Sequence, residues 1–305
     1  MSVVLKFGGT SLLNASAFKN VGNIIKNTSS PLVILSAING VTDQLERLFS
    51  FSNKDCAMKK QVATIYLKHA EIMDGLMINS EMQQKIKTLL DNKLDMKTGL
   101  LNHVIRYPNH KETQYIKENI MATGEQISCI IMNHYLKEQG VATTIVEGDK
   151  IFMCDHIINP YPQDISVQKI KRYINPIINK GIVPLITGYY GRDKHENIVT
   201  FGKNGSDLTA TFIADALGIN LVQIYKVEVN KLQTKWEEGY VGVVDEMGNT
   251  IPEILFDEAL TIAQTGRNVL SYSMLRPLIN NKNLVVEIKN TLHPELAGTK
   301  IIRKL

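Results

Sequence analysis

Cysteine is scarce: three thiols, Cys56, Cys129 and Cys154, in odd number and far apart, favour reduced, buried or incidental residues over disulfides or a metal site. The seven histidines form no H-x-x-H or H-x-x-x-H pair, so no structural zinc is expected. Charge of one sign is also lacking. The 34 basic and 30 acidic residues leave +4 and form no blocks, which removes the electrostatic case for nucleic acid or a membrane surface as partner. No run reaches the roughly eighteen apolar residues of a spanning helix. The N-terminus enters a strand directly, with no charged-then-apolar leader, so a cytoplasmic location is expected. Repeats, low-complexity linkers and a second composition regime are missing too. The 305 residues, 44% hydrophobic, are therefore expected to form one continuous αβα unit with two approximate lobes, 1–200 and 201–305.

What is present begins at Val3-Val4-Leu5-Lys6-Phe7-Gly8-Gly9-Thr10-Ser11, an apolar run that enters a glycine pair with one Lys at its end. Glycines let backbone N–H groups approach a phosphate, a following helix points its positive end there, and the Lys adds a point charge. The turn follows neither G-x-x-x-x-G-K-[ST] nor G-x-G-x-x-G, and a tight turn of no chemical role has the same pattern. Asn14 then caps a helix with Phe18, Val21, Ile24 and Ile25 at helical spacing, and Leu32 to Leu35 reads as a strand covered on both faces. Strand, helix and strand form a right-handed βαβ unit. Its strand C-termini share an edge, where Ser36 to Asp43 collects small and hydroxylated residues.

Residues 47–110 read as a helical insertion with a packing stripe of Met73, Leu76 and Met77. Glu125 falls in the first turn of a helix that buries Ile127, Ile130 and Ile131, where the dipole favours an anion. Strands are expected at Val141–Val146 and Ile182–Ile186. A second glycine turn, Gly202-Lys203-Asn204-Gly205-Ser206-Asp207, opens a helix that Gly218 stops. Two Lys-bearing turns, each entering a helix, make a cradle for a polyphosphate. The remaining expectations are a strand at Leu221–Tyr225, a hairpin-like stretch at 237–249, a helix from Pro252 to Gly266, a strand at Leu284–Ile288 and a tail from Lys289 to Thr299.

Together these stretches resemble the catalytic domain of aspartate kinases, in the amino-acid kinase fold family. K-F-G-G-T-S stands as Lys6 to Ser11, S-A-x-x-G-x-T as Ser36 to Thr42, and the G-E helix start as Gly124-Glu125. G-F-x-G stands as Gly188 to Gly191, G-R-G-G-S-D as Gly202 to Asp207, and I-K-N-T-x-x-P-E-x-x-G-T as Ile288 to Thr299. The resemblance implies a three-layer αβα sandwich around an eight-stranded, mainly parallel sheet. It implies transfer of the ATP γ-phosphoryl group to the side-chain carboxylate of L-aspartate, with Mg²⁺ carried in by the nucleotide. Lys6, Gly8 and Gly9 would face the transferring phosphoryl group, and Asp207 would hold Lys6 by charge pairing. Thr42, Glu125, Tyr189, Lys203 and Ser206 would line the amino-acid pocket in the first lobe, Glu125 pairing with the substrate ammonium and Lys203 with a carboxylate. Gly8, Gly9, Thr10, Ser11, Lys226, Val227, Glu228, Lys231 and Arg267 would face the nucleotide.

Departures from the motifs are specific. Lys203 replaces an Arg fork by a single hydrated charge, Asn204 replaces a glycine, and W-T-D-V-x-G-I-Y-T-x-D-P-R is faint over 225–234. The Lys of F-G-A-K-V-L-H-P is Asn268, beside Arg267. The pocket changes leave room for another amino acid or small carboxylate as acceptor, and the altered nucleotide lobe for a binding protein without transferase activity. The family's regulatory ACT domains are not expected within these 305 residues, so lysine and threonine are expected not to inhibit. A homodimer formed through the helical insertion is compatible with the pattern.

Overall fold

In the first strand, β1 (Val3–Phe7), every side chain is buried, and alternate residues enter different cores. Val3, Leu5 and Phe7 pack in one layer of helices and Val4 in the other. The alternation repeats in β2 (Pro31–Leu35), with Val33 and Leu35 on one side and Leu32 and Ile34 on the other. Period-two side chains on a strand apolar at every position but one require cover on both faces. The exception is Lys6, which points to the Val4 side.

The computed structural model describes residues 2–51, 56–155, 160–227, 243, 249–264 and 270–303. After β1 come α1 (Ala15–Lys26), β2, α2 (Val41–Leu48), α3 (Cys56–Gly75), α4 (Ser80–Leu94), α5 (Leu100–Arg106), α6 (Thr113–Met121) and α7 (Thr123–Glu138). Next are β3 (Thr143–Val146), α8 (Gly148–Ile151), α9 (Asp164–Ile178), β4 (Val183–Thr187), β5 (Tyr190–Arg192), β6 (Ile198–Thr200), α10 (Gly205–Leu217) and β7 (Leu221–Lys226). The chain ends with β8 (Glu253–Leu255), α11 (Phe256–Gln264), α12 (Tyr272–Leu275), β9 (Val285–Asn290) and β10 (Thr299–Ile302).

Among the described residues, eight strands form one sheet in the order β3-β4-β2-β1-β7-β9-β10-β8. All neighbours are parallel except β9 with β10. The helices from α1 to α7 supply one core, and α9 to α12 the other, which is the expected three-layer αβα sandwich. The Asn14 cap is in place, accepting from Ala17 N–H at 3.0 Å. Gly218 ends α10 in the left-handed region at φ 68°.

Two expectations are corrected, and one helix is added. Residues 253–255 form β8 and not a helix turn, because they gain parallel partners in Lys300–Ile302, past the tail. Helix α11 therefore starts at Phe256. Met77 leaves the insertion stripe: it is 86% exposed at φ 55°, one residue beyond buried Leu76. Helix α9 went unread, although Val167, Ile170, Ile174 and Ile177 carry its periodicity. The hairpin-like stretch lies outside the described residues except Val243 and Asn249. No helix of the described residues is long and apolar enough to cross a membrane.

Candidate active site

Parallel pairing brings the C-terminal ends of β1, β2, β4 and β7 to one edge of the sheet. Lys6, the next-to-last residue of β1, faces the helical layer that contains α10. Asp207, in the first turn of α10, meets it: Lys6 Nζ lies 2.5 Å from Asp207 Oδ1. The second carboxylate oxygen is taken by Lys226 Nζ at 3.0 Å. Lys226 ends β7, and Phe7 pairs with Tyr225, so Lys226 falls beside Gly8. Its Cγ stands 3.8 Å from where a Gly8 Cβ would be, and Lys6 Nζ 3.5 Å from the same point. Side-chain exposure is 6% for Lys6, 0% for Asp207 and 16% for Lys226.

Burial alone would push the Asp207 carboxyl up, but the Lys226 and Lys6 charges outweigh it and hold the group below the usual range. Burial draws Lys6 below the ordinary ammonium range, with Asp207 opposing. The helix starts where it does because Asn204 takes φ 63°, a left-handed conformation that Asn tolerates better than most residues. Asn204 O then accepts from Asp207 N–H at 2.9 Å.

Glu125 enters from the opposite layer. Helix α7 presses on the loop after β2 so closely that a Cβ on Gly124 would lie 2.6 Å from Ala37 Cβ. Ala37 N–H donates to Glu125 Oε1 at 3.0 Å, while buried Oε2 has no hydrogen-bond partner among the described residues. Burial pushes this carboxyl up to about 8, and the Ala37 amide opposes the rise. Tyr189, buried at φ 78°, donates its N–H to Thr209 Oγ1 at 3.2 Å. Ser206 is buried against Gly188, where an added Cβ would lie 2.7 Å from Ser206 Cβ and Oγ. Thr42 is half-buried in the first turn of α2, after Gly40 at φ 75°. Lys68, from α3 of the insertion, donates to Asn39 O in this loop.

The expected set thus divides. Lys6, Gly8 and Asp207 converge with Lys226, and Glu125 is close enough to Lys6 to feel its charge. Tyr189 and Ser206 both lie at the junction of β4 and α10, whereas Lys203 is exposed on the turn. Glu228, Lys231 and Arg267 lie outside the described residues.

Three groups in the glycine turn have scaffold partners in place of the ligand expected for them. Gly8 N–H donates to Tyr225 O at 3.1 Å. Thr10 Oγ1 accepts from Val227 N–H at 3.1 Å. Ser11, fully buried, donates to Tyr225 O at 3.1 Å and lies 2.6 Å from Thr291 Oγ1. Gly9 N–H has no acceptor among the described residues. A cavity of about 170 Å³, lined by Thr10, Ser11, Asn39, Val227 and Leu292, abuts the turn. Sequence reasoning missed that Asp207 is shared and that Lys68 reaches Asn39. The first was available from the position of Lys226 at the end of a strand beside β1.

The model of a family described as "Amino acid kinase family" matches residues 1–290. Aspartokinase 1 of Arabidopsis thaliana is 27% identical over 314 residues, covering 99% of this chain and 52% of the relative. The aspartokinase of Chlamydia pneumoniae is 27% identical, with 97% and 62% covered. The crystal structure of E. coli aspartokinase III in complex with aspartate and ADP superposes with a TM-score of 0.85 at 22% identity, over 100% of this chain and 65% of that one. The chain spans about half the length of the Arabidopsis relatives it matches.

Proposed function

Since the chain belongs to the amino acid kinase family, we propose that it transfers the γ-phosphoryl group of ATP to the side-chain carboxylate of L-aspartate, giving 4-phospho-L-aspartate. The observation that carries this reading is the meeting of the two glycine turns at the Lys6–Asp207 contact, 201 residues apart in sequence and 2.5 Å apart in space. The similarity to aspartokinases along nearly the whole chain supports aspartate as acceptor.

A carboxylate is already ionised at neutral pH and attacks without a general base. The work left to the protein is to align two anions and neutralise the charge between them. One carboxylate oxygen forms the new O–P bond while the bond from the γ-phosphorus to the bridging oxygen breaks, and ADP leaves with that electron pair. Lys6 is assigned to the transferring phosphoryl oxygens. Asp207 holds it there, and the Gly9 amide and the start of α10 add positive potential. Ionised Glu125 is assigned to the substrate ammonium, since its Oε2 is buried without a partner among the described residues. The donors gathered here, ammonium groups and an amide, suit phosphate oxygens and not a cation. Mg²⁺ belongs to the nucleotide phosphates, whose charge it screens.

Trapping the acyl phosphate with hydroxylamine tests the reading across a panel of carboxylic amino acids with Mg-ATP. Aspartyl hydroxamate is expected. Hydroxamate formed only from another acceptor would replace aspartate, and none from any member would refute phosphoryl transfer to a carboxylate.

A further inference from the structure

The loop between β2 and α2 touches both sides of the cleft. Ala37 N–H donates to Glu125 Oε1 at 3.0 Å. The same loop lies against the glycine turn, where a Cβ on Gly9 would stand 3.1 Å from Ala37 O and 3.3 Å from Asn39 Cα. Gly40, at φ 75°, then turns the chain into α2 and so sets the position of Thr42. A glycine at such a φ has more backbone freedom than its neighbours, and the bend keeps one geometry only where something outside it holds it.

Different parts of the molecule hold the glycine turn and this loop. Gly8, Thr10 and Ser11 are tied to Tyr225 and Val227 at the end of β7. The loop is tied at its start to β1, Ser36 N–H donating to Phe7 O at 3.1 Å. At its crest it is tied to α3, where Lys68 Nζ donates to Asn39 O and stands 3.6 Å from where a Gly40 Cβ would be. Helix α3 is a fixed base for that bond. Ile65, Ile72 and Met73 are buried in the core, Gln61 Nε2 donates to Gln44 O of α2 at 3.4 Å, and a Cβ on Gly75 would lie 2.5 Å from Ala15 Cβ of α1. A charge-assisted bond from such a base to one backbone carbonyl restrains the bend at the residue before its glycine. We infer that Lys68 is a positioning residue for the acceptor, holding the Asn39–Gly40 bend in the shape that presents Thr42 and the Ala37–Glu125 contact to the amino acid. The inference rests on the aspartate reading above and deepens it with a residue from outside the motifs. Lys68 acts by keeping the binding-competent loop populated, and apparent affinity for the acceptor falls with the fraction of that population lost. The glycine turn, anchored to β7, does not share the dependence.

The test compares the unsubstituted chain with Lys68→Met, which keeps the stem and removes the donor, with Lys68→Arg, and with Gln61→Ala, which removes the other bond from α3 to α2. Calorimetry gives the affinities of aspartate and of Mg-ADP separately. A hydrogen bond from a charged group contributes about tenfold or more to an equilibrium, so Lys68→Met is expected to bind aspartate about tenfold more weakly. Its Mg-ADP affinity and melting temperature should be retained. Lys68→Arg should recover most of the aspartate affinity, and Gln61→Ala should leave both ligands unaffected. Undiminished aspartate affinity in Lys68→Met, an equal loss of both ligands, or no recovery in Lys68→Arg would overturn the inference. A second arm needs no ligand: amide hydrogen exchange of Asn39 to Thr42 should quicken by about tenfold in Lys68→Met while the Gly8 amide keeps its rate. Unchanged exchange in the loop would refute the role. If the unsubstituted chain yields no aspartyl hydroxamate, the acceptor assignment falls and the exchange arm decides Lys68 separately.

Discussion

At Asp207 the side chain has no solvent to fall back on, so its substitution exposes what the two lysines cost without it. Asp207→Asn keeps the shape and removes the charge, leaving buried Lys6 without its ion-pair partner and close to Lys226. A loss of about 3–5 kcal/mol in urea unfolding is expected, together with loss of hydroxamate formation. Glu125 gives a pH signature. Its folded pKa of about 8 lies above the ordinary carboxyl value, so the empty protein favours the protonated form and loses stability as pH rises from the unfolded value through about 8. A bound ammonium group requires the ionised form. Aspartate affinity measured by calorimetry is therefore expected to rise with pH, by about tenfold per unit below pH 7, and to level off above 8. Glu125→Gln should bind weakly and flatten that slope; a pH-independent affinity in the unsubstituted chain would reject the pairing. Lys6, Asp207 and Glu125 were legible because each sits in a short motif beside a turn or helix start. The engagement of Gly8 N–H was not, since its acceptor is Tyr225, placed by strand pairing that no local pattern encodes.

Between elements, contact distance sets what the sequence can change. Gly188 closes β4 against the start of α10, and a methyl group there meets Ser206 Cβ and Oγ at 2.7 Å and Ile34 Cγ2 at 3.0 Å. Gly188→Ala should cost about 1–3 kcal/mol by overpacking. Because the relief pushes the start of α10 away from β1, KM for aspartate should rise along with the lowered melting temperature. Helix α3 carries a different liability. His69 is buried there, with Nδ1 2.7 Å from Ile65 O and Nε2 without a partner among the described residues. Burial draws its pKa down to about 4, while the Ile65 carbonyl opposes the fall. The neutral ring's contribution is complete above pH 6.5 and is lost as pH falls from 6.5 to about 4, amounting to about 3 kcal/mol. Melting temperatures taken down through this window should drop more steeply for the unsubstituted chain than for His69→Leu. Most helices and the parallel strands from β1 to β4, β7 and β9 were visible from periodicity, but α9, β8 and β10 were not. Both of these strands are short, and each is a strand through its sheet partners: β8 beside β10, and β10 between β8 and β9.

Among the described residues one sheet runs from β3 at one edge to β8 at the other. The two helical layers interlock through alternate residues of the same strands. We expect the approximate lobes at 1–200 and 201–305 to melt together, and calorimetry should give a single transition that aspartate and Mg-ADP each shift upward. Two separable transitions would mean that the lobes are independent domains. The αβα class and the parallel run of β1 and β2 could be read from βαβ spacing. The antiparallel return at β10 could not, because it depends on which exposed edge the final residues find.

The bond from Lys68 to Asn39 gives the helical insertion a bearing on any effort to shorten the protein. By length and composition residues 56–106 look like a removable appendage, yet they deliver the cation that steadies the bend preceding Thr42. A trimmed version grafted from a relative without that cation would keep the scaffold intact while unfastening the rim of the cleft. Swaps between homologues are best made with the segment and the bend transplanted as one piece.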